Sequence, residues 1–114
     1  MSKIDWLPID DMGKLESIKA LSHTSPCLIF KHSTRCSISS LAKNRLDKSW
    51  DYSRGKVVPF FLDVIAHREI SNAIAEEYGV RHQSPQMLVI KDGRCVYDAS
   101  HLDIGTNELD KQLM

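Results

Sequence analysis

The stretch that decides the fold runs from Leu28 to Ser39 and reads LIFKHSTRCSIS. An apolar run of strand length comes first, a short polar turn follows, and a cysteine then opens an amphipathic stretch. That order predicts a strand, a turn and a helix, with Cys36 at the start of the helix. Free amides and the positive end of the helix dipole favour a thiolate there. We therefore interpret Cys36 as a reactive cysteine rather than a structural one.

Outward from this stretch, strand and helix patterns alternate along the chain. On its amino-terminal side the predicted elements are a strand at 4–7 and a helix capped by Asp10 or Asp11, with Leu15, Ile18 and Leu21 at helical spacing. The strand of the stretch itself is predicted at 27–31, and the helix from Cys36 is expected to bury Ile38, Leu41, Ala42, Leu46 and Trp50. Further on we expect a loop at 51–55 and a strand at 57–64, with Pro59 near the start of that strand or at an edge. A helix at 67–78 should follow and end at Gly79. The last predicted elements are strands at 87–91 and 94–98 and a helix capped by Thr106.

This alternation predicts the architecture of one α/β domain spanning residues 1–114. Strands separated by helices pair in parallel, whereas Asp92-Gly93 is a strong signal for an antiparallel hairpin. We expect a mixed sheet of four or five strands with helices on both faces. The order of elements, with a cysteine after an early central strand and a proline just before the hairpin, resembles the thioredoxin fold.

Composition excludes several classes of function. The 15 Lys and Arg residues balance 15 Asp and Glu residues, which argues against nucleic-acid binding. No run approaches the roughly 20 apolar residues of a membrane span, and the first residues lack a signal-peptide core. We therefore expect a cytoplasmic protein without membrane contact. Three widely spaced cysteines do not form a disulfide framework, and the cysteines and histidines show no zinc spacing, so no metal site is predicted.

Ser39 is informative because a dithiol oxidoreductase carries its second cysteine three positions after the first. A serine hydroxyl cannot attack a mixed disulfide, so Cys36 needs an outside thiol to complete a cycle. The hydroxyl could bond the Cys36 thiolate or a helix-end amide, or Ser39 could be an ordinary serine of the first helical turn. A lone thiol suits exchange of a small-thiol cap better than reduction of a protein disulfide.

The resemblance extends to a particular family. The motif TRCSIS at 34–39, the segment LDVI at 62–65 and the segment VRHQSPQ at 80–86 resemble the monothiol bacilliredoxins, the YtxJ-like proteins of the bacillithiol system. The match covers essentially the whole chain, and the order and spacing of its short motifs make it specific. Ser37 stands where the family commonly has proline. Two interpretations of this departure stay open: an altered thiol pKa and redox behaviour, or a neutral variation at a first-turn position.

The resemblance implies a set of site residues and a reaction. Cys36 would be the catalytic thiol, and the residues that contact the substrate would be Thr34, Arg35, Ser37, Ser39, His82, Ser84 and Pro85. Pro85 would be cis and would face the thiol, while Ser84 offers backbone hydrogen bonds to the bound chain. Bacillithiol, or a similar low-molecular-weight thiol, would be the co-substrate, with no bound cofactor, and S-thiolated proteins would be the clients of a monomer.

The other thiols and the basic residues near Cys36 have separate interpretations. We expect Cys27 in the core and Cys95 packed or on an edge strand, with no argument for either as a resolving thiol. Lys31, His32 and Arg35 form a basic group that could bind the carboxylates of bacillithiol, or simply be a solvated loop. His82 is equally consistent with an exposed loop histidine.

The hypothesis is a monothiol thiol–disulfide exchanger that removes a small thiol from S-thiolated proteins through Cys36. Two alternatives belong to other classes. One is a redox-inert interaction module of thioredoxin fold, and the other is an iron–sulfur cluster carrier like the monothiol glutaredoxins. Against the latter, Cys36-Ser37-Ile38-Ser39 shares only its ends with the Cys-Gly-Phe-Ser pattern of those glutaredoxins.

Overall fold

The computed structural model describes residues 4–50 and 56–112, and the predicted loop at 51–55 lies outside them. The elements in chain order are β1 (Leu7–Pro8), α1 (Gly13–Leu21), β2 (Cys27–His32), α2 (Ser37–Ser49), β3 (Val58–Asp63), α3 (Arg68–Tyr78), β4 (Gln86–Lys91), β5 (Arg94–Ser100), a short 3₁₀ helix (His101–Asp103) and α4 (Asn107–Gln112). The predicted alternation of strands and helices is confirmed.

These strands form one mixed sheet with the order β1-β3-β2-β4-β5. β3 pairs in parallel with β1 and β2, whereas β4 pairs antiparallel with β2 and β5. β2 lies in the middle and all six of its residues are buried. This explains why its sequence is a continuous apolar run without alternation. The 33–36 loop follows the carboxyl end of β2 and therefore lies at the middle of the sheet, on the side where β2 ends.

The two faces of the sheet carry separate hydrophobic cores. One core joins β2 and β4 to α2 and α4 and contains Leu28, Phe30, Ala42, Leu46, Trp50, Met87, Val89 and Leu109. The other joins the same strands to α1 and α3 and contains Ile18, Cys27, Ile29, Ile70, Ile74, Leu88 and Ile90. Consecutive residues of β2 thus alternate between the two cores, and helices cover both faces as the sequence predicts.

Several predicted boundaries shift for identifiable reasons. β1 lies at Leu7–Pro8 instead of 4–7, because only these residues pair with β3; Ile4 is buried outside the ladder. α1 begins at Gly13, so Met12 takes the N-cap position predicted for Asp10 or Asp11; Asp11, one residue earlier, still accepts the Lys14 amide through Oδ1 at 3.2 Å. Pro59 is the second residue of β3, where β1 makes no pair with it.

The predicted buried face of α2 is partly wrong. Ala42, Leu46 and Trp50 are buried, but Ile38 and Leu41 are 41% and 50% exposed, and Ser39 is fully buried instead. Apolar periodicity alone assigned Ile38 and Leu41 to the core, although Ser39 turns inward because it bonds polar atoms beneath the helix. Two large apolar side chains are consequently left at the surface just after Cys36.

At the opposite end of the sheet, the Asp92-Gly93 hairpin is confirmed. Both residues have positive φ, at 54° and 79°, as a two-residue hairpin turn of the primed type requires. Gly79 ends α3 in the left-handed region at φ 65°, as its sequence position predicts. The chain between Gly79 and Gln86 then leads to the sheet edge where β2 ends.

Candidate active site

Cys36 is half-buried and lies immediately before the first helical residue of α2. Its backbone is extended, and its carbonyl accepts the amides of Ser39 at 3.1 Å and Ser40 at 3.3 Å. The amides of Ser37 and Ile38, which begin the helix, have no acceptor among the described residues. Cys36 therefore immediately precedes two free helix-start amides, the position at which helix ends bind anions.

The residues predicted to contact the substrate on this side of the site fall into two groups. Thr34, Arg35 and Ser37 are exposed around Cys36, as substrate contact requires. Ser39 is fully buried. The structure therefore leaves the first three accessible to a ligand and separates Ser39 from them.

The Ser39 hydroxyl is occupied by two partners below the helix. Its oxygen accepts the Ser33 amide at 3.0 Å and lies 2.6 Å from Nδ1 of His32. The hydroxyl therefore has partners on two sides, the loop amide of Ser33 and the ring of His32. Of the roles considered for Ser39, the structure shows a bond to an amide, that of Ser33 in the loop leading into the helix, and none to the Cys36 sulfur among the described residues.

The predicted basic group around the thiol is also wrong for two of its three members. Lys31 is fully buried and His32 is 7% exposed, and their side chains enter opposite cores because they are consecutive on β2. Burial lowers the pKa of His32, and the charge of Lys43 lowers it further while Asp63 opposes the change. Only Arg35 remains available at the surface.

Lys31 takes part in a buried polar cluster under α3. Its ammonium donates to the carbonyl oxygen of Ser71 at 3.1 Å and lies 3.4 Å from Nδ1 of His82. The hydroxyl of Ser71 lies 3.1 Å from the same Nδ1. Burial lowers the pKa of Lys31 to about 8, with a further contribution from the charge of Arg68. Three separate segments, β2, α3 and the chain before β4, are thus joined at one ammonium.

The Ser84–Pro85 peptide bond is cis, as the family resemblance implies. Lys31 pairs with Gln86, so Pro85 lies one step further toward the edge, level with His32. The Pro85 carbonyl accepts the amide of His101 at 3.1 Å. Ser84 Oγ is buried and has no hydrogen-bond partner among the described residues. The proline therefore lies on the same side of the sheet as the cysteine loop, next to the residue with which β2 ends.

The other two cysteines lie away from this edge. Cys27 begins β2 and is fully buried, and burial raises its pKa to about 11. Cys95 is half-buried on the edge strand β5, where burial also raises its pKa. Both pack in the core under α1 and α3, as expected from their sequence contexts. Neither has the environment of a nucleophile.

Two residues of this region were not predicted from the sequence. Ser71 looked like one polar residue of an amphipathic helix, and only its position between two apolar neighbours on the buried face could have indicated a role. His101 ends the β5 ladder beside Pro85 with φ at 55°, a conformation that non-glycine residues seldom adopt. Within residues 4–50 and 56–112, no group of histidine, cysteine and acidic residues could hold a metal ion.

The chain matches the family model of the monothiol bacilliredoxin BrxC over residues 7–109. The chain belongs to the monothiol bacilliredoxin family. The matched range contains the cysteine loop, the buried cluster under α3 and the cis proline. Membership of this family and the thioredoxin-like fold together assign the protein to thiol redox chemistry.

Solved structures agree with this family assignment. One neighbour, assigned as an oxidoreductase with a thioredoxin fold, has a TM-score of 0.78 and 27% identity, over 92% of this chain and 90% of that chain. A thioredoxin from Malassezia sympodialis has a TM-score of 0.70 and 18% identity, over 99% and 91%. Thioredoxin f from spinach chloroplast has a TM-score of 0.65 and 16% identity, over 93% and 88%. The last two show the fold alone. Of the helices that the structure describes, none is long and apolar enough to cross a membrane.

Proposed function

We propose that this protein removes a low-molecular-weight thiol, bacillithiol, from S-thiolated proteins through Cys36. The proposal rests on the residue at position 39, which is a buried serine and not a second cysteine. Cys36 is accessible at the start of α2, while the residue three positions on is a buried serine whose hydroxyl is occupied by Ser33 and His32. A thiol without a resolving partner is suited to carry a small-thiol cap rather than to reduce a protein disulfide.

The exchange has two balanced steps. The Cys36 thiolate attacks the small-thiol sulfur of the mixed disulfide, the old S–S bond breaks, and the client protein leaves as a thiolate that takes a proton from solvent. Cys36 then holds the small thiol in a new disulfide. A second molecule of the small thiol, as thiolate, attacks that disulfide, leaves with the cap as the oxidised small-thiol dimer and restores the Cys36 thiolate.

The free amides of Ser37 and Ile38 support both steps. They begin α2 directly after Cys36, whose sulfur carries negative charge before the attack and again when Cys36 is released. Ser37 carries an amide proton at a position where the family commonly has proline, which has none. The amide of Ser37 is therefore an additional donor that this chain offers to the sulfur.

The surface around the thiol supports a protein client in the first step. Ile38 and Leu41 are exposed on α2 directly after Cys36, and Ile65, which follows β3, is 44% exposed. Apolar side chains beside a reactive group are suited to pack against a polypeptide. The cis Pro85 and the backbone of Ser84 would align the client segment that carries the cap.

A mass measurement tests this function. The reduced protein is incubated with an S-bacillithiolated client, and intact mass is followed for both. We expect the client to lose the cap, and Cys36 to gain it before excess bacillithiol removes it. Cys36→Ser should abolish the exchange, whereas the control Cys95→Ser should retain it. The proposal fails if wild type takes up no adduct or if Cys36→Ser keeps its activity. A protein that binds clients without adduct formation would be an interaction module.

A further inference from the structure

Lys31 is an unusual residue for the centre of a sheet. Its side chain is fully buried, and among the described residues no carboxylate lies within 4 Å of its ammonium. A buried charge without a counter-ion costs several kcal/mol, so an apolar residue here would favour stability. The ammonium instead bonds the Ser71 carbonyl and Nδ1 of His82. An apolar residue could make neither of these hydrogen bonds, and of the two only the one to His82 reaches the segment before the cis proline.

These contacts fix the protonation of His82. An ammonium can only donate, so Nδ1 of His82 accepts, and its proton lies on Nε2. The Ser71 hydroxyl at 3.1 Å points to the same acceptor. Burial lowers the pKa of His82, and the charges of Lys31 and Arg68 lower it further. Because the ring is half-buried and Nε2 has no partner among the described residues, a fixed N–H donor is left available.

The position and charge of this donor indicate its ligand. His82 lies three residues before the cis Pro85, and the side-chain amide of Gln86 holds the carbonyl of Arg81 at 3.0 Å, so the segment is fixed at both ends. The charges that act on Lys31 and His82 are positive, and Arg68 is exposed at the start of α3. A fixed N–H donor in a positive field, to which an exposed guanidinium contributes, suits a carboxylate.

We propose that Lys31 and Ser71 are positioning residues that hold His82 as a hydrogen-bond donor for a carboxylate of the small thiol, with Arg68 as the second contact. The inference rests on the proposed function, because it names the part of the cap that this corner binds. It replaces the basic group predicted at Lys31, His32 and Arg35, since Lys31 acts from within the core and does not touch the ligand.

Two matched substrates test the inference. One peptide with a single cysteine is capped with bacillithiol, a cysteinyl-glucosaminyl-malate, or with cysteinyl-glucosamine, which lacks the malate carboxylates. The rate of uncapping by the protein is divided by the rate with free mercaptoethanol, which corrects for intrinsic reactivity. We expect wild type to prefer the bacillithiol cap by about tenfold, the value of one charge-assisted hydrogen bond. Arg68→Ala and His82→Ala should reduce the preference below about threefold, whereas the neighbouring exposed cation variant Arg81→Ala should keep it.

A separate measurement tests whether Lys31 and Ser71 fix the tautomer of His82. Nitrogen-15 NMR of His82 should show the Nε2–H tautomer in wild type and a mixture of tautomers in Lys31→Met. Ser71→Ala provides a second variant if Lys31→Met does not fold. Equal corrected rates for the two caps in wild type, or an Nδ1–H tautomer, would overturn the inference while leaving the proposed function intact. If neither capped peptide is exchanged, the proposed function fails and the inference with it.

Discussion

Lys31 and His32 are neighbours on β2, both basic and both buried, and they serve opposite faces of the sheet. His32 bonds the hydroxyl of Ser39 on α2, while Lys31 bonds the carbonyl of Ser71 on α3 and the ring of His82. One strand end therefore fixes two segments of the site. The face under α2 holds the cysteine loop, and the face under α3 holds the segment that leads to the proline.

We call Lys31 and His32 the two anchors, because each holds one segment of the site, and they differ in charge. Burial favours a neutral His32, and its one hydrogen bond goes to a serine that also accepts the Ser33 amide. Lys31 brings a buried charge into the other core. The neutral anchor should therefore contribute mainly to stability, whereas the charged anchor is tolerated at a cost and is better explained by what it does to His82.

The largest expected effect in stability comes from removing the anchor under α2. Ser39→Ala leaves the buried Nδ1 of His32 and the half-buried Ser33 amide without this partner. An unpaired buried group costs about 1–3 kcal/mol and water can replace part of the bond to Ser33, so we expect a loss of about 2–4 kcal/mol. Urea unfolding measures it, with the adjacent exposed Ser40→Ala as the matched control. A Ser39→Ala loss no larger than that of Ser40→Ala would show that the cysteine loop does not depend on this hydroxyl.

The sequence predicted the fold well because the fold depends on order and periodicity. The apolar run of β2, the Asp92-Gly93 turn and the alternation of strands with helices each specify an element through local chemistry, and the structure has all of them. The cysteine at the helix start followed from the same local reasoning. Family membership, carried by short motifs in the right order, then predicted the cis Pro85.

The polar anchors could not be predicted in the same way. Periodicity placed Ile38 and Leu41 inside and left Ser39 as a surface or cap residue, because apolar patterns do not report which hydroxyl finds a buried amide. Lys31 looked like part of an exposed loop because lysine is seldom buried. Its burial depends on Ser71, 40 residues away, and on His82, 51 residues away, and no local pattern encodes that pairing.

A smaller effect is expected in how the free energy of unfolding depends on pH, and it distinguishes the charged anchor Lys31 from the neutral anchor His32. The pKa of Lys31 is lowered to about 8 in the folded protein from 10.5. Between these values the unfolded chain holds more protons, so stability from this residue rises with pH. From pH 7 to pH 9 wild type should gain about 1 kcal/mol relative to Lys31→Met.

Urea unfolding of both proteins at the two pH values measures this difference, and comparison with Lys31→Met cancels the titration of other groups such as Cys27. A gap that stays constant between pH 7 and pH 9 would mean that Lys31 is not a buried ammonium, and the contrast with His32 would be lost.

The smallest expected effect comes from Ser71→Ala, the counterpart of Ser39→Ala on the other face. It removes only the hydroxyl near His82, because Lys31 bonds the Ser71 backbone carbonyl, which remains. Since His82 is half-buried, water can replace that bond, and we expect a loss of about 0.5 kcal/mol. Hydrogen exchange locates this loss of stability. In Ser71→Ala the amides of 80–86 should exchange faster while those of 33–40 stay unchanged. In Ser39→Ala we expect the reverse, with faster exchange at 33–40 only. If both variants speed exchange in both segments alike, the two faces act as one unit, and the separate anchoring of the cysteine and proline segments is wrong.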